Sequence, residues 1–221
     1  LWLAMLGSAI AFDRNEHLRL TLFVNKLPPP LRGFVDAFAP LCAVVFLLAL
    51  VYPSVEYAMD EWLITTPALN IPNAYRAAAI PVGMVLMSLL VLHHAFRSAT
   101  LADIVLAALL LAAVAGVLWY LSPSLIRMGN AKLVLFLVVF VGVALVAGVP
   151  IAFCFGTGTL TYLAFGTRVP VLVMIGRMDE GMSGLILLSV PVFVLLGCIL
   201  DATGMGKAIV DFLASLLGHI K

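Results

Sequence analysis

A serine set two residues before a proline, Ser189-Val190-Pro191, lies in the middle of an apolar run over residues 182–201. Proline has no N–H and its ring clashes with the carbonyl four residues back, so an unbroken helix is costly there. Val190, the residue before it, is pushed toward extended geometry. If the backbone opens at membrane depth, the freed carbonyls and the Ser189 hydroxyl form an oxygen cluster. Oxygen is what a hard cation such as sodium prefers, and broken helices of this kind recur as ion and substrate sites in secondary transporters. A plainer reading stays open: a proline-kinked helix that only packs, which on this stretch alone is favoured. Ser183, at the start of the run, reads first as a cap of the first half-helix and second as a further oxygen of the site.

Five other groupings have suggestive residue types. His93-His94 are neighbours, and adjacent helical positions point about 100° apart, so the pair cannot chelate one ion from one face. They read as interfacial anchors. Asp179-Glu180-Gly181 offers two acids but no polar partner cluster, and reads as a solvated turn. Gly156-Thr157-Gly158 lacks the strand and helix context of a phosphate loop. The small residues Gly148, Ala152 and Gly156 recur every four positions, which suits close approach of a neighbouring helix. Cys42, Cys154 and Cys198 sit in separate apolar runs and read as small hydrophobes.

The elements that must position these residues follow from composition. The chain has 221 residues, 64% hydrophobic and 10% charged, with a formal net charge of +1. Soluble domains carry about 25% charged residues, so the chain is an all-α, polytopic transmembrane protein with a broken-helix hairpin near its C-terminal end. No basic cluster exists that could neutralise several phosphates, which excludes nucleic acid as a partner. An intramembrane enzyme needs titratable groups at depth; acids and histidines lie almost entirely in loops, so no catalytic residue is assigned and no cofactor is expected beyond a coupling ion.

Residues 1–12 are apolar but shorter than the roughly 20 a spanning helix needs; with Leu1 at the start, this reads as a chain that begins inside a helix. The loop after it holds Arg14, Arg19, Lys26 and Arg32, and by the positive-inside rule it faces the cytoplasm. Residues 18–27 are expected to lie along the interface. Crossings follow at 33–57, 77–96, 101–121, 131–149 and 150–165, with Pro40 and Pro53 as kinks in the first. Trp62 and Tyr75 are expected at the outer interface. Arg127 and Lys132 then fall in an outer loop, against the positive-inside rule. Residues 168–178 and 207–219 are amphipathic, the latter with Lys207 and Asp211 one turn apart.

Taken together, the motifs resemble a known family. Leu6-Gly7-Ser8-Ala9-Ile10-Ala11, His17-Leu18-Arg19, Leu27-Pro28-Pro29-Pro30-Leu31-Arg32, Thr66-Pro67-Ala68-Leu69-Asn70-Ile71-Pro72 and Ala79-Ile80-Pro81-Val82-Gly83 are similar to the small membrane subunit of TRAP (tripartite ATP-independent periplasmic) transporters. Gly148-Val149-Pro150-Ile151-Ala152-Phe153, Arg177-Met178, Ser189 to Gly197 and Gly204-Met205-Gly206 resemble the start of the large subunit. The resemblance implies a natural fusion: a small-subunit part at 1–97 lacking its first helix, a linking helix at 98–129, and the first part of the large subunit at 130–221. One linking helix carries the chain from the inside end of the first part to the outside start of the second. The resemblance also implies a multi-pass protein of the bacterial inner membrane that imports a small organic acid, a dicarboxylate or sialic acid among them. A periplasmic binding protein delivers the acid and a sodium gradient drives uptake, elevator-fashion, with Ser189, Val190, Pro191 and Ser183 at the hairpin tip and sodium held at Ser189 and Val190. The remaining partners are the lipid bilayer and the rest of the large subunit. Alternatives are another secondary transporter with a similar hairpin, and a purely structural membrane subunit.

Overall fold

The computed structural model describes residues 1–14, 29–67 and 69–217. The expectation of an interfacial segment at 18–27 and the last two residues of the amphipathic stretch 207–219 lie outside the described residues. Among the described residues the structure is helical, with a single antiparallel bridge between Thr65 and Pro72. It forms two compact units, residues 1–179 and 180–221.

In the first unit, α1 (Trp2–Asp13) precedes α2 (Pro29–Asp60), α3 (Ala79–Ser98) and α4 (Leu101–Arg127). Pro29 and Pro30 stand at the start of α2, where a missing N–H costs nothing because the first helical donors have no intrahelical acceptor. Pro40 and Pro53 are carried inside the same helix. Thr100 begins α4: its hydroxyl accepts from Asp103 N–H at 3.3 Å and donates to the Asp103 carboxylate at 2.7 Å. That is a capping arrangement, and it fixes where the linking helix starts. Three spans, Arg32–Leu63, Ala74–Arg97 and Leu101–Arg127, are long and apolar enough to cross a membrane. The expected all-α, multi-pass architecture is therefore what the chain adopts.

The crossings expected at 131–149 and 150–165 are shorter than anticipated. Here α5 (Ala131–Val146) and α6 (Ile151–Gly166) each fall below spanning length; sixteen residues rise only about 24 Å, against a hydrocarbon core of about 30 Å. The turn Gly148-Val149-Pro150 cuts the run. Gly148 takes φ +73, a left-handed conformation that glycine adopts without a Cβ clash. Inside α5, Leu135–Phe140 widens into a π-helical turn. Lys132, at the start of α5, donates to Gly166 O at 2.9 Å and to Ile126 O at 3.5 Å. It thus caps the C-terminal ends of α6 and α4, where a cation is favoured.

Packing within this unit is by aromatic edges and glycine approaches. The Phe153 ring of α6 meets Phe12 of α1 at 6.1 Å and Phe46 of α2 at 5.9 Å, both edge-on. The expected ladder of small residues is only partly used: Gly156 lies against the Phe46 ring, whereas Ala152 is exposed and Gly148 forms the turn. The second close approach on α6 comes instead from Gly158, against α5. On α3, a Cβ at Gly83 would come 2.6 Å from Met5 Cβ. That atom is fixed to the α1 backbone, so the helix itself would have to move. Gly83→Val is expected to destabilise the fold by about 1–3 kcal/mol, read as a lower thermal unfolding midpoint of the purified chain in detergent; an unchanged midpoint would show that α1 is not held against α3.

The second unit contains α8 (Leu185–Ala202) and α9 (Met205–Leu217), entered from α7 (Leu172–Met182), which begins in the first unit. Nearly every large apolar side chain on α8 and α9 that the structure describes is exposed within the chain, as expected of surfaces that face lipid or further protein.

Candidate functional site

Ser189, Val190 and Pro191 all lie inside α8, which runs as a helix through the proline. Of the two readings of this stretch, the continuous helix is the one seen at these residues. Pro191 still removes one helical donor, so the carbonyl of Leu187 loses its i+4 partner. The Ser189 hydroxyl donates to the Ile186 carbonyl at 2.6 Å, a back-bond within the same turn that serine makes in helices. The chain instead breaks after Ala202. Thr203 N–H donates to Ile199 O and Gly204 N–H to Asp201 O, and Gly204 takes φ +69. Glycine in this left-handed conformation is a strong helix terminator, and it turns α9 by 79° from the second part of α8. Two features thus lie on one apolar element: an oxygen-rich, donor-deficient turn at 186–191, and a sharp bend at 203–204. Gly184 occupies the N-cap position of α8. Ser183 and Gly184 are the residues between α7 and α8.

A second polar site emerges that the sequence reading placed elsewhere. Asp179 is not in a solvated turn but on α7, 4% exposed. The Arg76 guanidinium grips its carboxylate with both forks, Nη1 to Oδ1 at 2.8 Å and Nη2 to Oδ2 at 2.9 Å. Tyr57 donates its hydroxyl to Oδ2 at 2.6 Å. Arg76 Nε donates to Asn73 Oδ1 at 2.7 Å, and Asn73 in turn donates to the Glu61 carboxylate. Helix register explains the burial. Ile175 and Asp179 are four residues apart on α7 and share a face, and both are buried, at 0% and 4% exposure. The sequence signal was present, since the apolar stripe of α7 continues through position 179, but Asp-Glu-Gly is also a turn sequence and masked it.

The remaining groupings stay apart from both sites. His93 is exposed and His94 half-buried near the end of α3. Among the described residues no three His, Cys, Asp or Glu side chains gather as a metal cluster. Cys42 and Cys154 are buried and Cys198 is exposed, all with free thiols. Trp62 and Tyr75, expected as anchors, have ring centres 5.8 Å apart, and Trp2 donates from Nε1 to the Tyr75 carbonyl at 3.0 Å. A cavity of about 350 Å³ opens among α2, α4 and α6, lined by residues such as Phe46, Leu111, Val114, Leu160 and Phe165. It has no charged side chain, and an organic anion would lose its hydration there without a partner.

Comparison with known proteins divides the chain in two. Residues 1–101 match the family described as tripartite ATP-independent periplasmic transporters, DctQ component, and residues 136–221 match the DctM component of the same transporters. The sialic acid TRAP transporter permease protein SiaT of Haemophilus influenzae is 23% identical over 230 residues, covering 99% of this chain and 37% of its own length. A putative TRAP transporter small permease protein from a second H. influenzae strain is 31% identical over 84 residues, 38% of this chain and 47% of that protein. The sialic acid TRAP transporter small permease protein SiaQ of Vibrio cholerae is 25% identical over 87 residues, 39% of this chain and 50% of that protein. The chain thus spans between 37% and 50% of the length of these relatives.

Proposed function

Because the chain belongs to the membrane subunits of the tripartite ATP-independent periplasmic transporters, with the small and large components in one polypeptide, we propose that it is part of a secondary transporter that imports a small organic acid. It is a multi-pass protein of the bacterial inner membrane. The acid is delivered by a periplasmic binding protein, and sialic acid stands first among candidate substrates, since two of the relatives carry that substrate in their names; a dicarboxylate is the next. Sodium is the coupling ion, and the substrate-bearing unit moves against a scaffold.

The observation that supports this reading most is the form of the second unit. An apolar helix carries a proline at its seventh position and then bends by 79°. Ser189, Val190 and Pro191 define the proposed site: Pro191 frees the Leu187 carbonyl, and the Ser189 hydroxyl adds an oxygen if it releases Ile186 O. Ser183, between the helices, is the fourth residue of the proposed site. No acid lies between Leu185 and Leu200, so a bound sodium would keep its charge. An uncharged oxygen cage at membrane depth holds a cation best when an anion binds beside it, which is a physical reason for the acid and the ion to travel together. Uptake of labelled sialic acid is to be measured with the complete gene product and its binding protein in proteoliposomes, with and without an inward sodium gradient. Uptake that requires sodium and falls about tenfold or more in Ser189→Ala is the expected result. Uptake indifferent to sodium removes the coupling ion; a normal Ser189→Ala moves the site off that hydroxyl.

A further inference from the structure

We infer that Tyr57, Arg76 and Asp179 form a fixed anchor by which the small-subunit part holds the helix that leads into the bent, proline-bearing unit. The three residues come from both halves of the fusion. Tyr57 and Arg76 lie in the DctQ-matching region and Asp179 in the DctM-matching region. Asp179 is also the last residue of the larger compact unit, which ends between it and Glu180. Three residues further on, α7 ends at Met182, and Gly184 takes extended geometry with ψ 130. The chain is therefore pinned one turn before it leaves the helix.

The chemistry suits a pin rather than a loose contact. A two-pronged arginine–carboxylate pair fixes distance and plane together, which a single lysine contact does not. The Tyr57 hydroxyl adds a third bond to the same carboxylate, from a different helix. Arg76 is itself held. Its Nε bonds Asn73, and Asn73 N–H donates to Ile64 O at 2.7 Å beside the Thr65–Pro72 bridge. On the α7 side, Ile175 is fully buried and Met174 nearly so, so the helix cannot roll without unpacking. For the transport reading, on which this consequence rests, the small-subunit part then acts on the mechanism directly: it sets the stationary end about which the following unit moves. Arg76, Tyr57 and Asp179 are positioning residues and touch no substrate.

The test places spin labels at Leu63 and Val173 of the complete gene product in nanodiscs, positions that are 90% and 47% exposed. Wild type is expected to give one narrow distance distribution. Asp179→Asn and Arg76→Gln should broaden it, Tyr57→Phe should broaden it less, and Arg76→Lys, which keeps the charge but loses the fork, should lie between wild type and Arg76→Gln. Distributions that stay narrow in all four variants overturn the anchor. Sodium-driven uptake, measured on the same samples, should fall in the order of the broadening, about tenfold or more for Asp179→Asn. Broadening with unimpaired uptake would reduce the contact to a structural one and overturn its positioning role. Variants that broaden the distribution while the wild type takes up no substrate under any gradient sink the transport reading and leave the pin in place.

Discussion

Asp179→Leu alone should be among the most destabilising substitutions in the chain, and Arg76→Leu with Asp179→Leu together should recover most of the loss. Removing one partner of a buried ion pair leaves the other charge desolvated and unpaired, which costs about 3–5 kcal/mol. The Asp179 side chain is 5% exposed but that of Arg76 is 37% exposed, so water relieves part of the orphaned charge and the lower end of that range applies. Replacing both with apolar groups removes the stranded charge, and such replacements are often neutral. Tyr57 then loses its acceptor, a further penalty of about 1 kcal/mol, and Tyr57→Phe added to the double variant should cancel it. Unfolding of purified protein in detergent, followed for the two singles and the double, gives the coupling. An interaction free energy of about 2 kcal/mol or more is expected. Additive losses would mean that the two residues act independently and that the observed fork is incidental.

Much of the architecture was legible because membrane helices announce themselves by length and hydropathy. The spans beginning at Arg32 and Leu101 follow directly from runs that no soluble protein would carry. What sequence missed has a common physical cause: competing local signals of similar strength. At Pro191 the lost donor allowed either a break or a helix that runs on, and the helix runs on, forfeiting one bond, that to the Leu187 carbonyl, while the Ser189 hydroxyl bonds the neighbouring Ile186 carbonyl. At Gly204 the signal is stronger, because a left-handed glycine closes the carbonyls of the preceding turn. At 179–181 a turn-forming triplet outweighed the helical spacing from Ile175 to Asp179, and only the partner from another part of the chain, Arg76, decides between them. That partner is 103 residues away in sequence, so no local pattern could have named it. The Lys132 cap is similar: its acceptors at Ile126 and Gly166 belong to other helices, and a rule that counts loop charges cannot tell a capping lysine from a topological one.

Gly158→Ala and Gly142→Ala should move stability in opposite directions, although both exchange a helical glycine for alanine in the same pair of helices. Alanine in place of glycine inside a helix gains about 1 kcal/mol from backbone entropy. At Gly142 a new Cβ meets nothing within 4 Å, so that gain stands. At Gly158 the Cβ would lie 2.5 Å from Val141 Cγ2 and 3.1 Å from the carbonyl oxygen of Phe136. The valine could rotate, but the carbonyl is backbone and belongs to the π-helical turn Leu135–Phe140. Overpacking of a site that cannot relax costs about 1–3 kcal/mol, and here it exceeds the propensity gain, so Gly158→Ala is expected to lower the unfolding midpoint and Gly158→Val to lower it further. The widened turn is what brings that carbonyl toward α6, since a π turn displaces backbone relative to a regular helix and is commonly found at functional sites. If Gly158→Ala proved as harmless as Gly142→Ala, α5 and α6 would not be held at the observed separation. The π turn would then have no steric partner, and the short helix pair would owe its geometry to the Phe136–Tyr162 ring contact at 6.1 Å and the Lys132 cap alone.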